Sequence, residues 1–572
     1  MDWRRHGLWI AGLLALACVV QVALVRRATV PALDAVGFVE TARQIDRHGF
    51  AATARSEREP VVFPAWIWVV HEVLTRTRGE SRSDWAHSAQ LAAAVPLVLA
   101  VVPIYLVSVR LFGAAAGLAG TGLFCLLPKA ARLGADGIGD GVHLLFFASA
   151  LAAMVAYLDS AERRNPLWLL AAGAGAALAS LVRTEALLLP ATLAAVLAAF
   201  ERSPRLRQGW PRTVRALSCL ALGVGMVFAP YLGAIRPATL GEAAQRLLGR
   251  YTPTIGSNTT FLGGQPLAPE DAVWRLSDEE SMSFGPKDTT VSIRRRGYRA
   301  ALAQFAEELA AAFGYVIGPF GLLGLYRLRD RLDRPVDRFA QTYCLLFAVA
   351  VVCFTANEGY LAARHLLPLV VLGLGAAGYG LLEASRGLAR RLRPNCDESA
   401  GWVASTASGR FAFPTDWSVV LLAGSVCLAM NLIKPLHAAQ LGHRRAAEWL
   451  ARQPGASAVV LDSRGWTGLY SGRPTLRYGD ARAAFAHPQL AYVVIERREL
   501  EYDSNRSRTL AHLLEVAAEP LVAWPAAEGG RQQVVVYRWQ PERFRRWVAR
   551  QRSVLALARE ESPDARADRR VR

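Results

Sequence analysis

Apolar blocks about as long as a membrane-spanning helix recur along this sequence and restrict what it can fold into. The first block, residues 8–25, reads LWIAGLLALACVVQVALV and carries no charged side chain. A bilayer core about 30 Å thick is crossed by roughly 20 residues of α-helix. No small-residue cleavage site follows the block and further apolar blocks come later, which indicates a retained first span rather than a signal peptide.

Repetition of such blocks predicts a polytopic α-helical membrane protein with about 11 transmembrane helices. Hydrophobic residues make up 53% of the 572-residue chain, only slightly more than in a soluble domain, so the prediction depends on the blocks and not on the average. The predicted spans are residues 8–25, 87–109, 112–128, 141–158, 167–182, 186–200, 216–235, 309–326, 339–356, 366–382 and 417–433.

The formal net charge of +19 is gathered in arginine clusters between the apolar blocks. Basic loops of membrane proteins stay in the cytoplasm, so we interpret the charge as a topology signal of the bacterial inner (plasma) membrane and expect no nucleic-acid partner. This rule requires an even number of crossings between successive clusters, so we divide 167–200 into a hairpin of two spans. With the amino terminus inside and 11 crossings, the carboxyl terminus lies outside. The clusters lie at residues 4–5, 110, 163–164, 202–215, 327–338 and 386–393.

Three long segments then lie outside the cytoplasm: residues 26–86, 236–308 and 434–572. The sequence therefore predicts a membrane module over 1–433 and a soluble extracytoplasmic α/β domain over 434–540. In that domain we expect helices at 443–452 and 510–517 and strands at 457–462, 490–496 and 533–539, from β-branched runs that alternate with helical patterns. An Arg-rich tail, 541–572, is interpreted as solvated or in contact with lipid headgroups.

Asp34 is the first carboxylate expected outside the membrane after the first span. At the start of a short amphipathic helix it could act as a general base for a hydroxyl acceptor. The alternative is a solvated aspartate that caps the amino terminus of this helix. The next stretch, 59–68, is rich in aromatic residues, bracketed by prolines and too short to span, which is typical of an interfacial segment.

Asp136 and Asp140 lie four residues apart at a predicted outer boundary, with His143 one turn further on if this stretch is helical. Ionisable groups at a membrane boundary are costly and indicate function by default. The alternative is that both are loop acids in water. Two Asp and a His also suit a divalent cation such as Mg or Mn, although an oxygen-rich site needs more ligands than this set supplies.

Arg183 and Glu185 fall in the predicted hairpin turn, where they could pair with each other and have no other role. Arg364 and His365 open the tenth predicted span. A guanidinium matches the paired oxygens of a phosphate. The alternative is an arginine that anchors the helix end by reaching the interface.

Small residues in the apolar blocks indicate helix packing rather than a nucleotide loop. Gly173-Ala-Gly175 resembles such a loop only in its letters, and Gly113, Gly117 and Gly120 repeat at close spacing within a span. The seven cysteines include no Cys-x-x-Cys pair, so a zinc site and a disulfide framework are not expected.

Taken in order, these features resemble the GT-C superfamily of integral membrane glycosyltransferases. The nearest branches are similar to bacterial relatives of protein O-mannosyltransferase and of the lipid A aminoarabinose transferase. The similarity runs from about residue 8 to residue 385. It rests on Asp34, the segment 60–68, and three motifs: LFGAAAGLAGTGLFCLLPKAARLGADGIGDGVHLL, GAALASLVRTEALLLP and YLAARHLLPLV.

The resemblance implies that a sugar moves with inversion from a polyprenyl-phosphate carrier to an extracytoplasmic glycan, lipid or protein. It implies that Asp34 is the base that activates the acceptor. Arg183, Arg364 and His365 are implied to hold the lipid phosphate, and Glu185, Asp136 and Asp140 are further substrate-binding candidates. No nucleotide site is needed, because the carrier supplies the activated bond.

Two local departures from the family pattern stand out. Many members have Asp-Glu or Asp-Gly-x-x-Tyr where this chain has Asp34-Ala35 and Phe38, and His-Pro-Leu-Tyr-Pro where it has Glu-Pro-Val-Val-Phe-Pro at 59–64.

A non-enzymatic flippase or transporter of a lipid-linked sugar is the alternative function. It would use the same charges to escort a headgroup. Transporters usually show inverted repeats and helices broken at mid-membrane. No such halves are evident here, and the charged residues lie at the predicted outer boundary.

Overall fold

The protein is described by a computed structural model in which the chain divides into two compact units. Most described residues up to Leu436 form the membrane unit, and those from His437 onward form the carboxy-terminal unit. The structure describes residues 3–57, 60–79, 84–159, 165–202, 209–248, 297–329, 334–392, 417–433, 435–462, 464–476, 484–485, 487–501, 505–525 and 533–560. Glu59, residues 249–296 of the predicted loop 236–308 and the end of the tail, 561–572, therefore lie outside the described residues.

The membrane unit is built from helices. Two 3-10 turns, Thr184–Leu187 and Ala363–Leu366, lead directly into the helices Leu188–Arg202 and Leu367–Leu392. The helices are α1 (Trp3–Arg27), α2 (Leu33–His48), α3 (Phe50–Ser56), α4 (Val62–Arg78), α5 (Asp84–Phe112), α6 (Ala114–Leu126), α7 (Pro128–Asp136), α8 (Asp140–Asp159), α9 (Leu167–Ser180), α10 (Leu188–Arg202), α11 (Trp210–Ile235), α12 (Leu240–Leu248), α13 (Tyr298–Ala312), α14 (Gly318–Leu328), α15 (Pro335–Glu358), α16 (Leu367–Leu392) and α17 (Ser418–Leu432).

Six helices among the described residues are long and apolar enough to cross a membrane, or seven if the bent pair α6 and α7 counts as one span. Three shorter apolar helices, α9, α10 and α17, coincide with predicted spans. These findings support a multi-pass membrane protein, as the sequence predicted. The predicted count of 11 spans is not established, because the three shorter helices fall below the length of a full span.

The prediction of one continuous span over 309–326 is wrong. Helix α13 ends at Ala312 and α14 begins at Gly318. Between them the backbone of Gly314 and Tyr315 is left-handed, with φ of 63° and 60°. A left-handed backbone cannot continue a right-handed helix, and Pro319 then favours the start of a new one.

Close helix packing explains most of the small residues in the apolar blocks. A side chain at Gly120 of α6 would collide with the carbonyl of Leu374 on α16, and one at Gly173 of α9 would meet the carbonyl of Leu220 on α11. The predicted packing role is therefore confirmed for these glycines. It is wrong for Gly113, which has open space around it and a φ of 90° at the turn before α6.

The carboxy-terminal unit combines helices with a mixed five-stranded sheet of order β2-β1-β3-β5-β4. Strand β1 pairs in parallel with β2 and β3, while β5 is antiparallel to β3 and β4. The elements are α18 (Leu441–Arg452), β1 (Val459–Asp462), α19 (Trp466–Ser471), β2 (Thr475–Leu476), β3 (Leu490–Glu496), α20 (Asn505–Ala517), β4 (Ala518–Pro525), β5 (Gln533–Trp539) and α21 (Pro541–Glu560).

The expected helices and strands of this unit are present, and two strands, β2 and β4, were not predicted. The interpretation of 541–572 as a tail is wrong for residues 541–560, because they form α21. Phe544 of this helix is buried against the core, and Trp547 and Val548 pack beside it. These apolar residues at helical spacing dock the helix, while the arginines between them reach solvent.

Candidate functional site

A cavity of about 730 Å³ in the membrane unit gathers most of the predicted site residues. Its lining comes from segments far apart in the chain: the start of α2, the start of α8, the turn before α10 and the turn before α16. Asp136 does not line it. The predicted site residues in its wall are Asp34, Asp140, Arg183, Glu185, Arg364 and His365.

Asp34 lies in the first turn of α2, and the residue at the capping position is Ala32. No side-chain cap bond is formed, so the alternative that Asp34 caps this helix is wrong. A carboxylate in the first turn still interacts favourably with the helix dipole. The Asp34 side chain is about half exposed, and its Oδ2 lies 2.9 Å from Nη2 of Arg364. The carboxylate therefore faces the cavity and pairs with a guanidinium there.

Arg364 and His365 lie in the 3-10 turn that leads into α16. The backbone before this turn is held by Gln304 of α13, whose amide donates to the carbonyl of Leu361 over 3.2 Å. The His365 ring meets Tyr360 edge-on, with ring centroids 5.9 Å apart. The turn thus presents a guanidinium and an imidazole side by side at the end of a membrane helix.

Arg183 lies between two carboxylates. Its Nε donates to Oε1 of Glu185 over 2.6 Å, and its Nη1 donates to Oδ1 of Asp140. The predicted Arg183–Glu185 pair is present, but it is not isolated, because Asp140 joins it and all three side chains face the cavity. Their side chains are only 16%, 15% and 9% exposed, so the attraction is screened less than at a surface.

Asp136 and Asp140 do not share a helix, contrary to the helical alternative considered from their spacing. Helix α7 ends at Asp136, Gly137 adopts the left-handed conformation with φ of 69°, and α8 begins at Asp140. A glycine at this position is the usual way to end a helix. His143 is buried, and its Nδ1 lies 3.2 Å from the carbonyl oxygen of Ala179, not in the cavity wall.

No group of three or more His, Cys, Asp or Glu side chains in the described part of the chain is arranged to hold a metal ion. Asp140 is instead engaged with Arg183. A requirement for Mg or Mn therefore stays a prediction.

An apolar wall faces the charged residues, and sequence reasoning missed it. Phe347, Val351 and Phe354 lie at positions i, i+4 and i+7 of α15 and line the cavity. Phe38 and Phe63 meet edge to face across 5.1 Å and line it too. The helical spacing on α15 was a usable signal, although within an apolar span it does not separate a cavity wall from a lipid-facing or packed surface.

The cavity therefore combines two kinds of surface. Among the described residues, the charged part holds three carboxylates and two guanidiniums, and the rest of the wall is largely hydrocarbon. Such a site suits an amphipathic molecule with an anionic group, because guanidinium binds phosphate oxygens in pairs and the aromatic face accepts an apolar chain. The half-exposed Asp34 adds a group that can accept a proton.

A second charged cluster lies in the carboxy-terminal unit, at the carboxyl ends of β1 and β3. His443 is fully buried there, with Nε2 3.1 Å from Oε1 of Glu496 and Nδ1 3.6 Å from Oδ1 of Asp462. Burial raises the pKa of Glu496, but the hydrogen bond with His443 and the charges of Arg464 and Arg498 outweigh it and bring this pKa to about 2. The cluster joins α18 to the sheet.

Comparison with known proteins agrees with this architecture. The sequence profile of the family described as dolichyl-phosphate-mannose-protein mannosyltransferase matches residues 58–229. The crystal structure of ArnT from Cupriavidus metallidurans bound to undecaprenyl phosphate is similar over 92% of this chain and 98% of its own, with a TM-score of 0.54 and 15% identity. Comparison with curated proteins gives no match.

An Archaeoglobus fulgidus oligosaccharyltransferase tethered to an acceptor peptide that contains the NVT sequon is also similar. The match covers 92% of this chain and 74% of that one, with a TM-score of 0.50 and 12% identity. At such identities the likeness shows the fold. Together with the family profile, it confirms the predicted resemblance to the GT-C superfamily of membrane glycosyltransferases.

Proposed function

We propose that the protein is a membrane glycosyltransferase that moves a sugar, with inversion, from a polyprenyl-phosphate carrier to a glycan, lipid or protein acceptor outside the cytoplasm. The observation that carries the proposal is the cavity itself, where the half-exposed Asp34 and the guanidiniums of Arg183 and Arg364 face an aromatic wall. The match to the mannosyltransferase profile and the fold shared with ArnT support this reaction class.

The proposed reaction needs one base and one anion site. Asp34 takes the proton from the acceptor hydroxyl while the oxygen of that hydroxyl attacks the anomeric carbon of the donor sugar. The bond from the anomeric carbon to the phosphate oxygen breaks on the opposite side. The polyprenyl phosphate leaves with the bonding electron pair, and Arg364, Arg183 and His365 are placed to bind its oxygens. A positioned general base contributes about 10²–10⁴-fold in rate, and stabilisation of the leaving phosphate adds to it.

The two surfaces of the cavity support the proposed donor class. A phosphodiester carries one negative charge, which suits a guanidinium beside a carboxylate that the phosphate can replace. The Phe347, Val351 and Phe354 face of α15 offers an apolar path for the first part of the carrier chain. A nucleotide sugar would place a base and ribose against this largely apolar wall, to which α15 contributes Asn357 as its polar side chain among the described residues.

We further propose that the cavity and the carboxy-terminal unit lie outside the cytoplasm. The support is the positive-inside rule: if the basic clusters at 4–5, 202–215 and 386–393 lie in the cytoplasm, then Asp34, Arg183 and Arg364 come at the opposite ends of α1, α10 and α16.

The test is transfer of label. Purified protein in lipid nanodiscs is incubated with a panel of undecaprenyl-phosphate sugars carrying ¹⁴C in the sugar, together with an envelope extract that supplies acceptors. We expect label to leave the carrier and unlabelled undecaprenyl phosphate to accumulate. Movement of intact labelled donor between leaflets without cleavage of any panel member would instead support a flippase.

The matched control compares two carboxylates on the same helix. Asp34→Asn should lower the transfer rate by about 10²-fold or more, whereas Glu40→Gln should leave it unchanged. Glu40 pairs with Arg43 over 3.7 Å and lies outside the cavity wall, so its loss tests only the effect of removing a charge from α2.

A further inference from the structure

The two groups that the proposed reaction needs most neutralise each other in this structure. Asp34 is the proposed base and Arg364 is a proposed phosphate ligand, yet Oδ2 of Asp34 lies 2.9 Å from Nη2 of Arg364. While Oδ2 of Asp34 is held by the guanidinium, that oxygen is not available to take a proton from an acceptor hydroxyl. Equally, a guanidinium that holds a carboxylate has fewer N–H groups for a phosphate.

The second guanidinium of the cavity is held differently. Arg183 is braced by two carboxylates, and none of the three side chains is more than 16% exposed. The Asp34–Arg364 pair is 50% and 33% exposed. Water can solvate the parting charges at the exposed pair, so it opens at a small cost, whereas opening the buried network leaves charge without solvent. Of these contacts, the one between Asp34 and Arg364 therefore costs least to open.

We propose that Arg364 is a positioning residue that holds Asp34 in a resting pair, and that the donor's phosphate replaces the carboxylate on the guanidinium and so releases Asp34 to act as the base. This rests on the proposed function. The exchange conserves charge at Arg364, since one anionic oxygen pair takes the place of another. It also gives an order to the reaction: the donor binds first, and Asp34 becomes able to deprotonate an acceptor only when a sugar is present to receive it.

The proposal predicts that removing the base improves carrier binding. In Asp34→Asn the side chain keeps its shape but no longer competes for Arg364, so a phosphate has no ion pair to break. Removing a partly exposed ion pair of this kind should tighten binding of the carrier phosphate by about fivefold. If Asp34 instead made a favourable contact with the bound carrier, Asp34→Asn would weaken carrier binding.

A double-mutant cycle separates this exchange from a general loss of negative charge. Binding of undecaprenyl phosphate to purified protein in nanodiscs is measured for wild type, Asp34→Asn, Arg364→Ala and the double variant. We expect Asp34→Asn to tighten binding about fivefold in the wild-type background and not to change it in the Arg364→Ala background. Equal tightening in both backgrounds, or none in the first, overturns the proposal. Glu40→Gln, which removes a charge from α2 away from the cavity, should leave binding unchanged.

A chemical probe tests the same exchange and does not require undecaprenyl phosphate binding to be measured for Arg364→Ala, where we expect it to be weak. Carbodiimide modification of Asp34, followed by mass spectrometry, should rise when undecaprenyl phosphate is added to wild-type protein and should be high without lipid in Arg364→Ala. Modification of wild-type Asp34 that is unchanged or reduced by the lipid contradicts the proposal.

The turnover assay distinguishes the two proposals. If wild-type protein transfers sugar but the Asp34 and Arg364 substitutions change carrier binding additively, only the proposed exchange is refuted. If wild-type protein cleaves no donor, the glycosyltransferase proposal is refuted, whatever the double-mutant cycle of carrier binding shows.

Discussion

Replacing Arg183 with Met should cost far more stability than replacing an arginine in an exposed pair. Met keeps most of the length of the side chain but leaves the carboxylates of Asp140 and Glu185, 9% and 15% exposed, without their shared guanidinium. Breaking a buried ion pair in this way costs about 3–5 kcal/mol, because the remaining charges are neither solvated nor paired. At about 2 °C per kcal/mol for a large domain, the melting temperature should fall by roughly 5–10 °C.

The measurement is the melting temperature of purified protein in detergent, followed by loss of the monodisperse peak on size-exclusion chromatography after heating. Arg76→Met is the matched control. Arg76 pairs with Glu72 one turn away on α4 and is 79% exposed, so we expect its loss to cost no more than about 1 kcal/mol.

A triple variant, Arg183→Met with Asp140→Asn and Glu185→Gln, should recover most of the lost stability, because it removes the uncompensated charges together with their partner. It should not recover sugar transfer, since the guanidinium in the cavity is gone. The reasoning is refuted if Arg183→Met melts at the wild-type temperature, or if the triple variant is no more stable than the single one.

Three further predictions concern pH, packing and topology. The pKa of Glu496 is lowered to about 2 in the folded unit, so its ionised form stabilises the fold by about 3 kcal/mol above about pH 4.5, and this stabilisation is lost as the pH falls towards 2. Hydrogen exchange of the β3 amides, corrected for intrinsic rates, should show the opening free energy falling over this pH range. An opening free energy that does not change with pH would contradict the prediction. Gly120→Leu should prevent α6 from packing on α16 and leave little folded protein, whereas Gly12→Leu, with open space around it, should express normally. Alkaline phosphatase fused after Leu441 should be active, and an expressed, folded but silent fusion would overturn the proposed orientation.

The parts of the structure that the sequence predicts well are those governed by the bilayer. Length and apolar character locate the spans, and the cost of ionisable groups in hydrocarbon points to Asp34, Asp140, Arg183, Glu185 and Arg364 at the helix ends. These residues meet in one cavity because helices that cross the same membrane bring their ends to the same level.

The contacts among these residues were less predictable. Asp34 and Arg364 are 330 positions apart, and nothing local to either indicates which guanidinium a given carboxylate pairs with. Asp136 and Asp140 are each followed by a glycine, but α7 ends at Asp136, Gly137 adopts a left-handed conformation, and only Asp140 lies in the cavity wall among the described residues. The break between α13 and α14 has a similar cause, since a glycine such as Gly314 is also tolerated within membrane helices.

In the carboxy-terminal unit the strands with unbroken β-branched runs, β1, β3 and β5, were predicted from sequence. Strand β4 was missed because Pro520 and Pro525 lie within its eight residues, and proline argues against a strand interior. It lies at the edge of the sheet, where a missing amide is tolerated. Helix α21 was missed because its arginines outnumber the apolar residues that dock it.

The most direct test of the account is the rate at which purified Asp34→Asn protein releases sugar from the undecaprenyl-phosphate donor that wild-type protein uses. Asn keeps the size and one oxygen of the side chain but cannot accept a proton, so we expect the rate to fall by about 10²-fold or more. Expression and melting temperature should stay near wild type, because Asp34 makes no cap bond and its ion pair is half exposed. A folded Asp34→Asn protein that turns over at the wild-type rate would show that Asp34 is not the base.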